Sequence, residues 1–318
     1  MWAVQLPEPG RAEVVELADL EPELSEGQVL LRVRAAGLCG SDMPRFKGTR
    51  ALPAAHAHAL APVHEVVGEV VQSASPGLSP GRRVVGTLGR HGGLAELVVA
   101  SASMLMAVPE GLDDVEAVVV QPLATVVRAF NKFPDVRGQR AAVIGLGPIG
   151  LAFCHVLRHG GIGHLSAVDP IERAQLAKSY GADEFFQMTS AEWLERLGPK
   201  SRPQVVVEAV GHQQGTVSDA VHAVCEHGFV FGFGEPDDCD YLIPYEQLYM
   251  KDVTLAAGRT LEWPQALQAG AGYFCQHRSD FAGYVSHVLA VAAAQQAYSL
   301  YATPQVGRLK VVLVPRGL

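Results

Sequence analysis

A short buried run that ends in three spaced glycines, Ala142-Val143-Ile144-Gly145-Leu146-Gly147-Pro148-Ile149-Gly150, constrains this chain more than any other feature. The apolar stretch reads as a strand covered on both faces, and the glycines lead into a segment of helical period, Ile149–Arg158. The alternation then repeats through Leu165–Val168, Ile171–Tyr180, Val205–Val210, Val217–Cys225 and Phe229–Phe233. Such alternation predicts a parallel sheet with helices on both sides. In Gly-x-Gly-x-x-Gly, Gly145 permits the tight turn, Gly147 lets a pyrophosphate approach the backbone, and Gly150 lets helix and strand close together. Free amides at the helix start favour the phosphate charge. The turn, with Leu146, Pro148 and Ile149 between its glycines, is therefore the expected dinucleotide loop. The next strand ends at Asp169, 24 residues after Gly145, where a carboxylate accepts from a ribose 2′-hydroxyl and repels a 2′-phosphate. NAD is the expected cofactor. Arg173, one helical turn on, joins the expected binding residues and moderates the preference over NADP.

The first 115 or so residues have a different texture, with strand patterns at Gln28–Ala35 and Glu65–Val71 and a further strand after the Pro80-Gly81 turn. A closing strand runs through Gly307-Arg308-Leu309-Lys310-Val311-Val312-Leu313-Val314 and is expected to rejoin this part. The chain thus reads as a β-rich domain over residues 1–120, a nucleotide-binding domain over 121–283, and a return over 284–318. A length of 318 residues suits two cores. A net charge of −8 with no basic run argues against nucleic acid. No charge-free apolar stretch reaches the roughly 18 residues of a membrane span, and the N-terminus lacks a signal-peptide pattern, so a cytoplasmic enzyme is expected. The five cysteines are scattered, and none forms a Cys-x-x-Cys pair.

Upstream of the glycine turn stand Ala35-Ala36-Gly37-Leu38-Cys39-Gly40-Ser41-Asp42 and Val63-His64-Glu65-Val66-Val67-Gly68-Glu69-Val70. With the glycine turn, Ser179-Tyr180-Gly181-Ala182-Asp183 and the closing strand, these segments resemble the medium-chain dehydrogenases. The similarity is to the zinc-type alcohol and polyol enzymes, the sorbitol and threonine dehydrogenases among them. The resemblance spans essentially the whole chain. It implies an α/β protein in which a Rossmann domain is inserted into a β-rich, GroES-like barrel catalytic domain, with the active site in the cleft between them. It also implies a small alcohol or carbonyl substrate and one catalytic zinc that polarises the reacting oxygen. Cys39 and His64 would be ligands, and Asp42 would fix the His64 tautomer. Ser41 would pass on the substrate proton, and Glu65 would be either a ligand or an outer carboxylate that exchanges onto the metal. Thr125 and Gly234 match positions beside the nicotinamide. A homodimer or homotetramer is expected from pairing of the edge segment Asp252–Ala257.

Four departures qualify that pattern. Val63 replaces the glycine usual before His-Glu. Gln121, in Gln121-Pro122-Leu123, takes the third ligand position, and a neutral amide is a poor zinc ligand. Pro44 replaces the relay histidine. The cysteine-rich lobe is missing, since Val84–Val98 contains no Cys, so no structural zinc is expected. A metal-free reductase acting on an enone, quinone or activated carbonyl is the alternative, and an NAD-binding sensor without chemistry is a third reading. His56, His58 and His91 are further residues that could contact a metal or substrate.

Overall fold

The computed structural model describes residues 1–49, 63–89 and 92–315. The chain divides into two compact units, Met1–Thr125 with Leu261–Leu318, and Val126–Thr260. The sequence reading set the inserted segment at 121–283, whereas the compact unit ends at Thr260. One reason is visible at Gly270, where a Cβ would lie 2.5 Å from the Ala124 backbone, so the helix bearing Gly270 is pressed against the first unit's own chain.

The first unit opens with β1 (Trp2–Gln5), β2 (Glu13–Glu16), β3 (Gln28–Gly37), α1 (Met43–Phe46), β4 (Glu65–Ser73), β5 (Arg83–Thr87), β6 (Leu97–Ser101) and β7 (Leu105–Ala107). Helices α2 (Asp114–Val118) and α3 (Val120–Phe130) lead out of it. The second unit holds β8 (Arg140–Ile144), α4 (Pro148–His159), β9 (His164–Val168), α5 (Ala174–Ser179), β10 (Glu184–Phe186) and α6 (Ser190–Arg196). It continues with β11 (Val205–Glu208), α7 (Gln214–Ala223), β12 (Phe229–Gly232), α8 (Tyr245–Lys251) and β13 (Thr254–Ala257). The chain then returns through α9 (Trp263–Gln276), β14 (Val285–Ala290), α10 (Ala294–Ala302) and β15 (Lys310–Val314).

In the second unit the six strands are all parallel, in the order β10-β9-β8-β11-β12-β13. Numbered within the unit this is 3-2-1-4-5-6, the doubly wound order in which ligands settle at the strand ends where the order reverses. That reversal falls between β8 and β11, beside the glycine turn. Both sheet faces are covered. Ala142, Ile144, Val206 and Val230 pack with Trp193 and Val221 on one side. On the other, Phe153 of α4 meets Phe231 and Phe233, and Phe133 meets Phe229. Cys154 is fully buried on α4, and burial pushes its thiol up to about 12, as a core role requires.

In the first unit the sheet runs β14-β15-β3-β4-β5-β7, with β6 also on β3. Its centre is the long strand β3, paired antiparallel with β4, β6 and β15. The closing strand predicted from sequence thus lies against the strand that runs into Cys39. A core of Val29, Leu31, Val33, Val66, Val84, Val311 and Leu313 fills one face, closed by Tyr298 and Tyr301 of α10. Among the described residues no helix is long and apolar enough to cross a membrane.

Candidate active site

Strand β3 ends at Gly37, and a short 3-10 turn over Gly40–Asp42 follows at once. Cys39 caps that turn: its backbone N–H donates to Asp42 Oδ2 at 2.8 Å. The Asp42 carboxylate is wholly buried and turns its other oxygen to His64, with Oδ1 3.8 Å from Nδ1. That gap is too long for a direct hydrogen bond but orients the ring electrostatically. Burial works against a charged His64, yet Asp42 and Cys39 hold its pKa well above the ordinary imidazole value. The Ser41 Oγ is buried with no partner among the described residues.

Cys39 Sγ, a ring nitrogen of His64 and a carboxylate oxygen of Glu65 lie within 4.8 Å of one another. Zinc bonds of 2.0–2.3 Å place tetrahedral donors roughly 3.3–3.8 Å apart. A small inward movement would therefore bring this trio around one ion, and a thiolate, an imidazole and a carboxylate are the donors zinc takes. The residues fit the metal by chemistry and by place.

Glu65 is nevertheless already engaged. Lys310, the first residue of β15, donates from Nζ to Glu65 Oε1 at 2.8 Å, to Oε2 at 2.6 Å and to the Leu38 carbonyl at 3.0 Å. Both side chains are 2% exposed. Burial pulls the Lys310 ammonium towards neutrality, but Glu65 first and Cys39 next hold its pKa above the usual lysine value. Gly37 makes the space for this pair. A Cβ there would stand 2.6 Å from Glu65 Oε2 and 2.7 Å from Val118 Cγ1.

Sequence reasoning did not find Lys310, because a lysine in a strand read only as a β-rich closing segment. Its partial signal was position: it alternates with apolar residues, where a lysine should face solvent. Tyr301 was missed as well. It is buried on α10, and burial, with Cys39 and Glu65 nearby, raises its pKa well above the usual phenol value. The Arg308 guanidinium lies 4.7 Å from its ring centre. Gln121 sits buried in the first turn of α3, three residues past Val118. Thr125 is spent locally, its Oγ1 donating to the Pro122 carbonyl at 2.7 Å. His56, His58 and His91 lie outside the described residues.

In the second unit the three glycines divide the work as their spacing implies. Gly145 has a φ of +88°, a turn conformation that a side chain resists. A Cβ on Gly150 would lie 1.8 Å from the Gly145 carbonyl oxygen, so helix and strand close only over glycine. A Cβ on Gly147 would meet nothing within 4 Å, which leaves an open cradle at the N-cap of α4, where a phosphate can approach. Asp169 closes this loop, accepting from Leu146 N at 2.7 Å and from Ile171 N at 2.8 Å. Arg173 Nε lies 4.0 Å from Asp169 Oδ2, and both side chains are largely buried. Gly234 is fixed by crowding: a Cβ there would lie 2.2 Å from Gly211 N, where the loops after β11 and β12 cross.

Residues 25–110 match the family model of the alcohol dehydrogenase GroES-like domain, and residues 148–288 that of the zinc-binding dehydrogenase. An uncharacterized zinc-type alcohol dehydrogenase-like protein of Haemophilus influenzae is 26% identical over 292 residues, 81% of this chain and 83% of that protein. A sorbitol dehydrogenase of Halalkalibacterium halodurans is 25% identical over 339 residues, covering 93% of this chain and 94% of that one. Among solved structures, the alcohol dehydrogenase TADH from Thermus sp. ATN1 superposes with a TM-score of 0.82 at 25% identity, over 99% of both chains.

Replacing Gly37 with Ala should force the Glu65–Lys310 pair and Val118 apart. We expect a loss of about 2 kcal/mol or more in urea unfolding, within the range for overpacking a core. An unchanged midpoint would show that the pair is not confined there.

Proposed function

Since the chain belongs to the zinc-type medium-chain dehydrogenases, a family of alcohol and polyol dehydrogenases, we propose that it interconverts a secondary alcohol or polyol and its carbonyl with NAD. The observation that carries this reading is the convergence of Cys39, His64 and Glu65, with Asp42 behind the histidine. When bound, zinc would supply a Lewis acid for the substrate oxygen, and NAD would accept the hydride. Cys39 and His64 would hold the ion. Asp42 would keep the His64 ring turned so that its other nitrogen faces the metal. Ser41, whose hydroxyl is buried with no partner among the described residues, would accept the proton of the substrate alcohol as it passes its own hydroxyl proton on to a cofactor ribose hydroxyl or to water. Pro44 offers no titratable group to carry it further. Gln121 would lie close to the ion without adding charge, and Thr125 and Gly234 would approach the nicotinamide.

The cofactor would lie on the turn from Gly145 to Gly150, over Leu146, Pro148 and Ile149, with its pyrophosphate against the open backbone of Gly147. Asp169 keeps an acceptor lone pair on each oxygen beyond its two backbone partners, which suits a ribose diol. Arg173 beside it softens the repulsion of a 2′-phosphate. We expect NADH to bind at least about tenfold more tightly than NADPH, or ~1.4 kcal/mol. Asp169→Ser should narrow or reverse that ratio. Equal affinities in the unmodified protein, measured by nucleotide fluorescence, would refute the assignment of NAD.

A metal-free reductase on the same fold is the second reading, favoured by the hold of Lys310 on both Glu65 oxygens and by the neutral Gln121. Elemental analysis of protein purified without chelator separates the two. One zinc per chain is expected. A value near zero with turnover intact would establish the metal-free reading, and two would contradict a single site.

The assembly proposed is a homodimer or homotetramer. Among the described residues, strand β13 is an edge of the parallel sheet, paired only with β12. The helix just before it exposes Tyr245, Tyr249 and Met250, with Leu242 close by in sequence. Edge hydrogen-bonding groups beside apolar side chains suit pairing with a second copy. Sedimentation at micromolar concentration should show no monomer, and a purely monomeric boundary would reject this.

A further inference from the structure

Three buried side-chain oxygens behind the candidate site have no hydrogen-bond partner among the described residues: Ser41 Oγ, Asp42 Oδ1 and the Tyr298 hydroxyl. Interior polar groups are nearly always paired, so three in one locality call for an explanation. Helix geometry is what gathers them. Asp42 caps α1 with helical backbone angles and Phe46 follows four residues on, so the two share a face of that short helix. The Tyr298 ring, from α10, packs on Phe46 with ring centres 5.1 Å apart. It therefore lies along the face that carries Asp42 one turn away. Tyr298 is wholly buried. Burial first and the Asp42 charge next hold its phenol well above the usual pKa, with Arg45 opposing. The hydroxyl is thus a standing donor within the field of the carboxylate.

Packing accounts for the ring but not for its oxygen. A phenylalanine would fill the same core beside Phe46, and a buried hydroxyl with nothing to bond is a net cost. Asp42 supplies what the hydroxyl lacks. Its Oδ2 is held by the Cys39 N–H at 2.8 Å, whereas Oδ1, which faces His64 Nδ1 at 3.8 Å, keeps lone pairs for two donors. A carboxylate anchored at one oxygen can still pivot, and that pivot moves the oxygen that orients the imidazole. A second donor on Oδ1 stops the motion.

Building on the zinc reading above, we propose that Tyr298 is a positioning residue whose hydroxyl donates to Asp42 Oδ1, so that the carboxylate behind His64 is clamped at both oxygens. The line of contacts then runs from α10 through Asp42 to the candidate ligand His64, and neither Tyr298 nor Asp42 touches the ion. Ser41 Oγ, the third oxygen, is the one that the substrate alcohol would pair.

The test compares the unmodified full-length protein with Tyr298→Phe, Asp42→Ala and the double variant. Chelator competition reports zinc affinity, and cobalt(II) absorption reports the geometry of the ligand set. Tyr298→Phe removes one oxygen and keeps the ring. It should weaken zinc by about tenfold, the lower end of outer-shell effects on metal affinity, and shift the cobalt bands. In the Asp42→Ala background the same change should cost zinc nothing further, because the acceptor it served is gone. Unchanged zinc affinity and cobalt bands in Tyr298→Phe would overturn the proposal, as would losses that simply multiply in the double variant. A readout without metal stands beside these. The ultraviolet resonance Raman difference between the metal-free unmodified protein and Tyr298→Phe isolates this phenol, and its doublet should be that of a hydroxyl donating to a carboxylate. The doublet of a phenol with no acceptor would overturn the proposal even if Asp42→Ala fails to fold. Cys39→Ser binding zinc as tightly as the unmodified protein would remove the zinc reading alone, and the Raman doublet would still decide whether Tyr298 holds Asp42.

Discussion

The Lys310–Glu65 ion pair joins residues 245 positions apart and lies within the first unit, directly behind Cys39 and His64. Both charges are out of water, so neither is tolerable alone, and removing one partner of such a pair costs about 3–5 kcal/mol. The pair therefore makes the end of the chain a condition for the site near its beginning. Strand β15 must pair with β3 for the ammonium to reach the carboxylate, and Gly37 must lack a side chain for the carboxylate to sit where it does. The Cys39–Asp42 turn hangs from the end of that same strand. The geometry of the candidate metal ligands thus depends on a contact that is not itself part of the ligand set.

The second unit obeys a different constraint, which is steric rather than electrostatic. Three of its glycines are required by a measurable constraint: Gly145 by its backbone angle, Gly150 by the 1.8 Å that a Cβ would leave to the Gly145 carbonyl, Gly234 by the Gly211 backbone. Of the three glycines in the turn, Gly147 is the one that faces open space. Within the turn the contrast is informative, because packing accounts for Gly145 and Gly150 and does not account for Gly147. Asp169 then does two jobs, tying the loop through Leu146 and Ile171 while offering its outer lone pairs. A carboxylate fixed by two backbone donors is preorganised, so a ribose would not have to order it.

Much of this was legible in the residues. Periodicity located β8, α4, β9, β11, α7 and β12 to within a few residues, because strands buried on both faces must be continuous apolar runs. The motif around Cys39, Ser41, Asp42, His64 and Glu65 predicted a shared locality, and the structure brings Cys39, His64 and Glu65 together with Asp42 behind. The Asp252–Ala257 segment was recognised as an edge, and β13 is one. Less legible was the end of the inserted unit. Helix α9 has the same amphipathic texture as the helices before it, and periodicity does not say which core a helix joins. The packing of Gly270 on Ala124 does.

The sequence by itself determined the local chemistry: a glycine turn shaped for phosphate, a carboxylate at the end of the next strand, and a thiol, imidazole and carboxylate in two short motifs. These are properties of neighbours in the chain, and spacing encodes them. Only the tertiary structure decided what Glu65 is bonded to. Pairing β15 with β3 sets Lys310 against it, and an interaction across 245 residues leaves no periodic or spacing signal in either segment. A buried charge takes whichever partner the fold delivers, because water is not there to substitute, and that partner is fixed only when the strands are in register.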